Sequence, residues 1–191
     1  MIIEILGVVT GFICVWLAAR NNIWNFPITI LSVFFYIIVF YRARLYADMG
    51  LQFYFLGMAI YGWYYWIDRS DSGEEIKPVQ RITPALIGIG ILGIGIFTVL
   101  FGTFLDRQTD AYLPYLDSLC AGGSLFGSFL LSRRIMENWL VWIIVDVIYL
   151  YLYVSKELYL TTLLYLAYIV VAVFGYREWK KNWEKHYVKS L

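Results

Sequence analysis

The chain has 191 residues, of which 61% are hydrophobic, 20% aromatic and 15% charged, and its mean hydropathy is +0.68. An ordinary soluble domain carries roughly 25% charged residues, so a soluble globule is excluded and the chain reads as an integral membrane protein. Its net charge of +1 offers nucleic acid no bulk attraction.

Seven apolar runs approach the roughly 20 residues that span hydrocarbon: 2–19, 24–41, 49–67, 84–105, 112–131, 139–155 and 158–176. The first has no basic segment before it, carries Glu4 and lacks a small-residue cleavage site, so it reads as a span and not as a leader. Pro27 fits the first turn of the second helix, where a missing amide hydrogen is tolerated. The third run ends in Tyr61, Trp63, Tyr64, Tyr65 and Trp66, most of which suit an interfacial aromatic belt. Residues 68–81 form a long hydrophilic loop. Thr83 before Pro84 reads as an N-cap with proline in the first turn, and Asp110 precedes the run containing Pro114. GIGILG at 88–93 matches a dinucleotide-binding pattern only formally, because no strand precedes it. Its glycines, like Gly122, Gly123, Ser124, Gly127 and Ser128 of the fifth run, suit close helix approach. Cys14 and Cys120 lie inside apolar runs and imply no disulfide, and His186 falls in a basic tail that suits lipid headgroups.

Seven spans place Arg20, Arg69, Lys77, Arg81, Arg133, Arg134 and the basic tail on one side, against Arg42, Arg44, Arg107 and Lys156 on the other. The positive-inside rule therefore puts the C-terminus in the cytoplasm and the N-terminus outside, with the cell inner (plasma) membrane as the expected location.

Shifted by 113 positions, the sequence meets itself without gaps: Arg20 falls on Arg133, Asn25 on Asn138, Tyr36 on Tyr149, Leu45-Tyr46 on Leu158-Tyr159, Gly62 on Gly175 and Trp66 on Trp179. Two three-helix units of like orientation need an odd number of spans between them, which predicts an all-α parallel 3+1+3 repeat. Its parts are a first repeat at 1–67, a loop and linker helix at 68–105, a second repeat at 106–179 and a tail at 180–191. Parallel repeats of this kind are a transporter plan with the substrate near the midplane.

The sixth run carries one acid at its centre. Trp139, Trp142, Asp146, Tyr149 and Tyr153 are spaced three, four, three and four and share one helix stripe. A charge at that depth costs at least about 2.5 kcal/mol and should face a cavity or the bundle interior. An anionic, aromatic lining suits a flat organic cation; the alternative is an Asp146 that merely ties two helices together. Gln52 adds an amide that can read a carboxamide or a ribose hydroxyl, or can equally form an interhelical bond, and Asn25 is a further candidate for the site.

NIWNFP at 22–27, LYADMGLQ at 45–52, YGWYYW at 61–66, ENWLVW at 137–142 and KELYLTTLLY at 156–165 resemble the PnuC family of B-vitamin transporters over nearly the whole chain. The resemblance implies a topology similar to SWEET sugar transporters, a central vitamin site using Trp142, Asp146 and Gln52, facilitated diffusion, and trapping by cytoplasmic phosphorylation. It points first to nicotinamide riboside. The family's nicotinamide riboside members are expected to carry asparagine where this chain has Asp146, so thiamine, with its permanent charge, stands second. No catalytic, cofactor or metal set is expected, and a homo-oligomer stays open. A retinal-type sensor lacks its lysine in the seventh run, and an intramembrane enzyme lacks a second acid or base beside Asp146. Glu4 and Asp117, equivalent under the repeat, read as interfacial charges or as gate contacts with neighbours such as Arg107.

Overall fold

A computed structural model describes residues 2–43, 46–67, 76–109, 113–155 and 159–187. They form seven helices: α1 (Ile2–Ala19), α2 (Asn25–Ala43), α3 (Tyr46–Trp66), α4 (Pro84–Gln108), α5 (Pro114–Ser132), α6 (Asn138–Ser155) and α7 (Tyr159–Tyr187). Each predicted run becomes one helix. Thr83 caps α4 as expected, its hydroxyl accepting from the Leu86 amide at 3.3 Å. At α5 the cap is instead Leu113, in the left-handed region at φ 56° with no side-chain bond, and Pro114 begins the helix; Asp110 lies outside the described residues. The seventh helix runs past the predicted end at 176 to Tyr187, because 177–187 has no proline or glycine to stop it.

Asn25–Arg42, Pro84–Gln108 and Asn138–Ser155 are long and apolar enough to cross a membrane on composition alone, with a shorter apolar stretch at Ile5–Ala19. The others interrupt their apolar character for identifiable reasons: α3 carries Gln52 and many tyrosines, α5 is rich in glycine and serine, and α7 ends in its basic extension.

The packing is a ring. α1 lies on α2, α2 on α3, α3 on α5, α5 on α6, α6 on α7 and α7 on α1, while α4 packs on α5 alone. Ile89, Ile91, Leu92, Val99 and Leu100 of α4 are exposed, which in a bilayer is contact with acyl chains. Of the three glycines in 88–93, only Gly90 serves close approach, against the Phe126 ring; Gly88 and Gly93 face open space.

One end of the ring is a solid plug. Ala18, Ala19, Phe26, Trp66, Val79, Met136, Trp139 and Trp179 form a buried cluster where α1, α3 and α5 end, α2 and α6 begin, and α7 passes. Trp66 is fully buried there, unlike the exposed Trp63 and Tyr64 that fit the interfacial belt. Contacts in the plug recur at the same offset that aligns the sequence with itself. Trp66 Nε1 donates to Leu131 O at 3.1 Å, and Trp179 Nε1 donates to Ala18 O at 2.9 Å. Asn25 Nδ2 donates to Asn22 O and Asn138 Nδ2 to Ile135 O, both at 2.7 Å. Phe26 meets Trp66 edge-on at 87° and Trp139 meets Trp179 at 85°. Gly62 and Gly175 make room for those rings, since a Cβ would come within 2.5 Å of Phe26 at the first and 2.7 Å of Trp139 at the second. Asn21 and Arg134, both at φ 57°, occupy matching turns, and Arg134 Nη2 donates to Asn21 Oδ1 at 3.2 Å.

The hydrophilic loop of the sequence reading is structured over 76–83. Lys77 N donates to Trp66 O at 2.8 Å, Gln80 N to Arg134 O at 2.9 Å, and Met136 N to Gln80 O at 3.0 Å. Val79 is fully buried in the plug, and Arg81 Nε meets Glu137 Oε1 at 2.6 Å. The same plugged end carries Lys77, Arg81, Arg133 and Arg134, and Arg133 donates to the Tyr61 hydroxyl at 3.1 Å, a bond that raises its pKa further.

Candidate functional site

Above the plug the ring encloses a cavity of about 610 Å³, lined from α1, α2, α3, α5, α6 and α7 and not from α4. That volume lies within the roughly 300–1,000 Å³ of small-molecule sites. All six residues singled out in the sequence, Asn25, Gln52, Trp139, Trp142, Asp146 and Tyr149, lie on its walls.

The helix stripe on α6 explains how. Asp146 is 6% exposed, whereas Ile144 is 61% and Val147 50% exposed, so α6 turns its apolar face outward and its acid inward. Glycines on α5 set the spacing: a Cβ on Gly127 would stand 3.2 Å from Trp142, and one on Gly123 would stand 2.7 Å from Val145. Small residues thus let α6 seat its indole against α5 and leave Asp146 facing the void.

No hydrogen bond or ion pair reaches the Asp146 carboxylate among the described residues. No lysine, arginine or histidine among them lines the cavity, whose described wall carries Asp146 among aromatic rings. Gln52, half-buried on α3, and Asn25, fully buried with one of its two side-chain N–H groups donated to Asn22 O, stand on the wall formed by the first three helices. Trp139 sits deepest, at the plug, with its indole N–H lacking a described partner.

Sequence reasoning missed part of the wall. Tyr165 and Tyr168 of α7 join Tyr149 and Tyr153 in a cluster of four rings, with Tyr165 5.2 Å from Tyr149, 5.0 Å from Tyr153 and 5.8 Å from Tyr168. Their spacing from each other and from Ala172, three and four residues, is the helical period that the stripe on α6 also shows. Thr29 and Tyr36 of α2 were missed because no acid marks that helix and its one charge, Arg42, lies in the last turn. A second void of about 400 Å³ adjoins the first past Thr29 and Gln52 and reaches Ser32, Met58, Ser128 and Ser132.

Of the gate contacts considered for Glu4 and Asp117, no ion pair joins Arg107 to Asp117 among the described residues, and the Glu4 side chain lies outside them.

A multi-pass helical membrane protein whose helix ring encloses an anionic, aromatic cavity is built as a transporter of small organic solutes. The chain belongs to the nicotinamide mononucleotide transporter family, whose model matches residues 1–181. It is 29% identical over 203 residues to the nicotinamide riboside transporter PnuC of Escherichia coli, covering 93% of this chain and 84% of that one. It is 24% identical to the riboflavin/roseoflavin transporter RibM of Streptomyces davaonensis, over 92% of this chain and 83% of the relative. A crystal structure of the vitamin B3 transporter PnuC shares the fold, with a TM-score of 0.73, 24% identity, and coverage of 95% of this chain and 81% of that one.

Proposed function

We propose that this chain takes up a planar, positively charged vitamin, with nicotinamide riboside as the leading substrate. The observation that carries the reading is the lone Asp146 carboxylate, buried among Trp142, Tyr149 and Tyr165 with no counter-charge supplied by the described cavity walls. A pyridinium supplies that charge and stacks on the rings, while Gln52 and Asn25 stand where a carboxamide or ribose needs partners. The absence of basic residues on the described wall argues against a phosphorylated substrate, whose anion would face Asp146 unpaired. Release into the cytoplasm followed by phosphorylation would then make uptake one-way.

Thiamine is the second reading. It is favoured by the carboxylate at 146, which suits a permanently charged thiazolium, where the family's nicotinamide riboside members are expected to offer an amide. Riboflavin, which the Streptomyces relative carries, is uncharged and leaves Asp146 uncompensated.

The proposed architecture is two three-helix units, α1–α3 and α5–α7, joined by α4. It is supported by the recurrence of plug contacts at the offset of the sequence repeat and by the α3·α5 and α7·α1 contacts that join the units. The basic plugged end is taken as cytoplasmic, with the N-terminus outside, in the inner membrane. Transport is facilitated diffusion by rocking of the units.

Uptake into proteoliposomes tests all of this. Labelled nicotinamide riboside should equilibrate without an imposed ion gradient and exchange against unlabelled vitamin inside. Accumulation that depends on a gradient would sink the diffusion mechanism, and equal transport of all three vitamins would sink the charge assignment.

A further inference from the structure

The two seams between the halves are built differently. Along α3 and α5, polar contacts run the length of the seam: Tyr54 Oη donates to Leu125 O at 2.9 Å, Trp66 Nε1 to Leu131 O at 3.1 Å, and Arg133 to Tyr61 Oη at 3.1 Å. Across its plugged end lies the 76–83 segment. It is bonded to the end of α3 through Trp66 O, and to the α5–α6 turn through Arg134 O and Met136 N. Glu137 then accepts from both Arg81 Nε at 2.6 Å and the Ile82 amide at 2.8 Å. Val79, fully buried, anchors the segment in the plug.

Along α7 and α1 the contact is mostly apolar. One indole bond, Trp179 Nε1 to Ala18 O, accompanies ring pairs: Trp16 on Phe174 at 5.3 Å and Phe12 on Tyr168 at 6.1 Å. Among the described residues no segment bridges α7 to the α1–α2 turn. Trp24, the counterpart of Glu137 under the sequence offset, is 65% exposed, whereas Glu137 is held under the strap.

We infer that the 76–83 segment is a one-sided strap that makes the α3–α5 seam the hinge, so that the plug opens by parting the α7–α1 seam alone. The inference rests on the transport reading. Symmetric rocking would part both seams at the plugged end, and parting the α3–α5 seam would break the Tyr54–Leu125, Trp66–Leu131 and Arg133–Tyr61 bonds and pull the strap either from α3 at Trp66 O or from the α5–α6 turn at Arg134, Met136 and Glu137. Parting the α7–α1 seam costs the Trp179 indole bond, the Arg134–Asn21 bond between the two turns, and the ring contacts. The substrate would therefore leave sideways, between α1 and α7, past Trp179 and Ala18.

The test pairs cysteines across each seam. Gln80→Cys with Ile135→Cys lies on the strap, where the two residues are bridge partners. Trp16→Cys with Phe174→Cys lies on the other seam. Each pair is joined by a short bis-methanethiosulfonate spacer and released by reductant, with the wild-type chain, which keeps Cys14 and Cys120, as the reagent control. Joining 16 to 174 should lower vitamin uptake at least tenfold and reductant should restore it, whereas joining 80 to 135 should leave uptake within twofold of its own reduced form. Loss of uptake on joining 80 to 135, or full uptake with 16 joined to 174, overturns the hinge. Spin labels on the same pairs give a readout that does not depend on transport: added nicotinamide riboside or thiamine should broaden the distance distribution across 16 and 174 and leave that across 80 and 135 narrow. Broadening at both pairs, or at neither, also overturns it. Lack of uptake by the reduced variants and by wild type alike counts against the transport reading, while the spin-label contrast still judges the hinge.

Discussion

Replacing Asp146 by asparagine removes the charge of the cavity while keeping its shape. For a ligand cation about 4 Å from the carboxylate, Coulomb attraction at an effective dielectric near 20 amounts to about 4 kcal/mol. Desolvation of the ligand cancels part of that, and charge-assisted contacts typically keep about 1.5–3 kcal/mol net. At about 1.4 kcal/mol per factor of ten, Asp146→Asn should weaken a permanently charged thiazolium roughly 10- to 100-fold. Nicotinamide riboside should lose less, because the new amide can pair with its carboxamide. The decisive comparison is nicotinamide riboside against its reduced dihydropyridine form, which is uncharged and nearly the same size. Quenching of Trp139 and Trp142, both on the cavity wall, reports binding of each to purified protein. Wild type should prefer the cation and Asp146→Asn should erase most of that preference. If the ratio of the two affinities is unchanged by the substitution, Asp146 does not face the ligand and the charge argument is wrong. The apo protein should melt no lower, since the substitution removes a buried carboxylate that has no described partner.

The scaffold yields further expectations. Gly62→Ala and Gly175→Ala should each lower stability by about 1–3 kcal/mol, since the added Cβ meets Phe26 or Trp139; thermal melts of the two should fall together, and an unaffected melt would refute the close packing. Trp179→Phe should cost about 0.5–1.5 kcal/mol, because Ala18 O loses the indole N–H but keeps the Asn21 amide; an unchanged detergent melt would show that water replaces the bond. Arg81→Ala should cost under about 1 kcal/mol because its side chain is 54% exposed, and Glu137→Ala more, because it also strips the Ile82 amide; the reverse order would place the strength of the strap in the ion pair. Gly127→Val should displace Trp142 and weaken binding several-fold with the helices intact, read by the same fluorescence titration beside circular dichroism.

Much of this molecule was legible because its chemistry is local. A hydrophobic run of the right length becomes a helix whatever its neighbours, and one acid amid Trp142 and Tyr149 announces an inward face. The strap was not legible, since 68–81 has the composition of a solvated loop; the apolar triplet Ile76, Val79 and Ile82, spaced by three, was its only trace. Trp66 read as interfacial because nothing in its own helix distinguishes it from Trp63. Its burial depends on Trp179, its equivalent under the sequence shift, and on the room left by Gly62 for Phe26. Tyr165 and Tyr168 escaped notice because tyrosines are spread over most of the helices, and only the packing of α7 on α6 decides which of them meet.

Positions equivalent under that shift also show where the two halves stop resembling each other, and that boundary separates scaffold from specificity. In the plug the pairs are conservative: Asn25 with Asn138, Gly62 with Gly175, Trp66 with Trp179. On the walls of the two voids most pairs diverge, although Tyr36 and Tyr149 match: Thr29 stands opposite Trp142, Val33 opposite Asp146, Gln52 opposite Tyr165 and Phe40 opposite Tyr153. A symmetric pair of carboxylates would place two anions around one cation and leave an excess negative charge buried, so only one half can carry the acid. The half that lacks it supplies small and hydrogen-bonding groups in its place, which is also where the second void opens beyond Thr29 and Gln52. A ligand with a charged ring at one end and hydroxyls at the other fits such a wall in one orientation. Thr29→Trp, which would copy Trp142 onto the opposite side, should therefore close that void and reject the hydroxylated end. A truncated pyridinium without its sugar would keep most of its binding, so equal loss for nicotinamide riboside and for N-methylnicotinamide would show that the two halves do not divide the ligand between them.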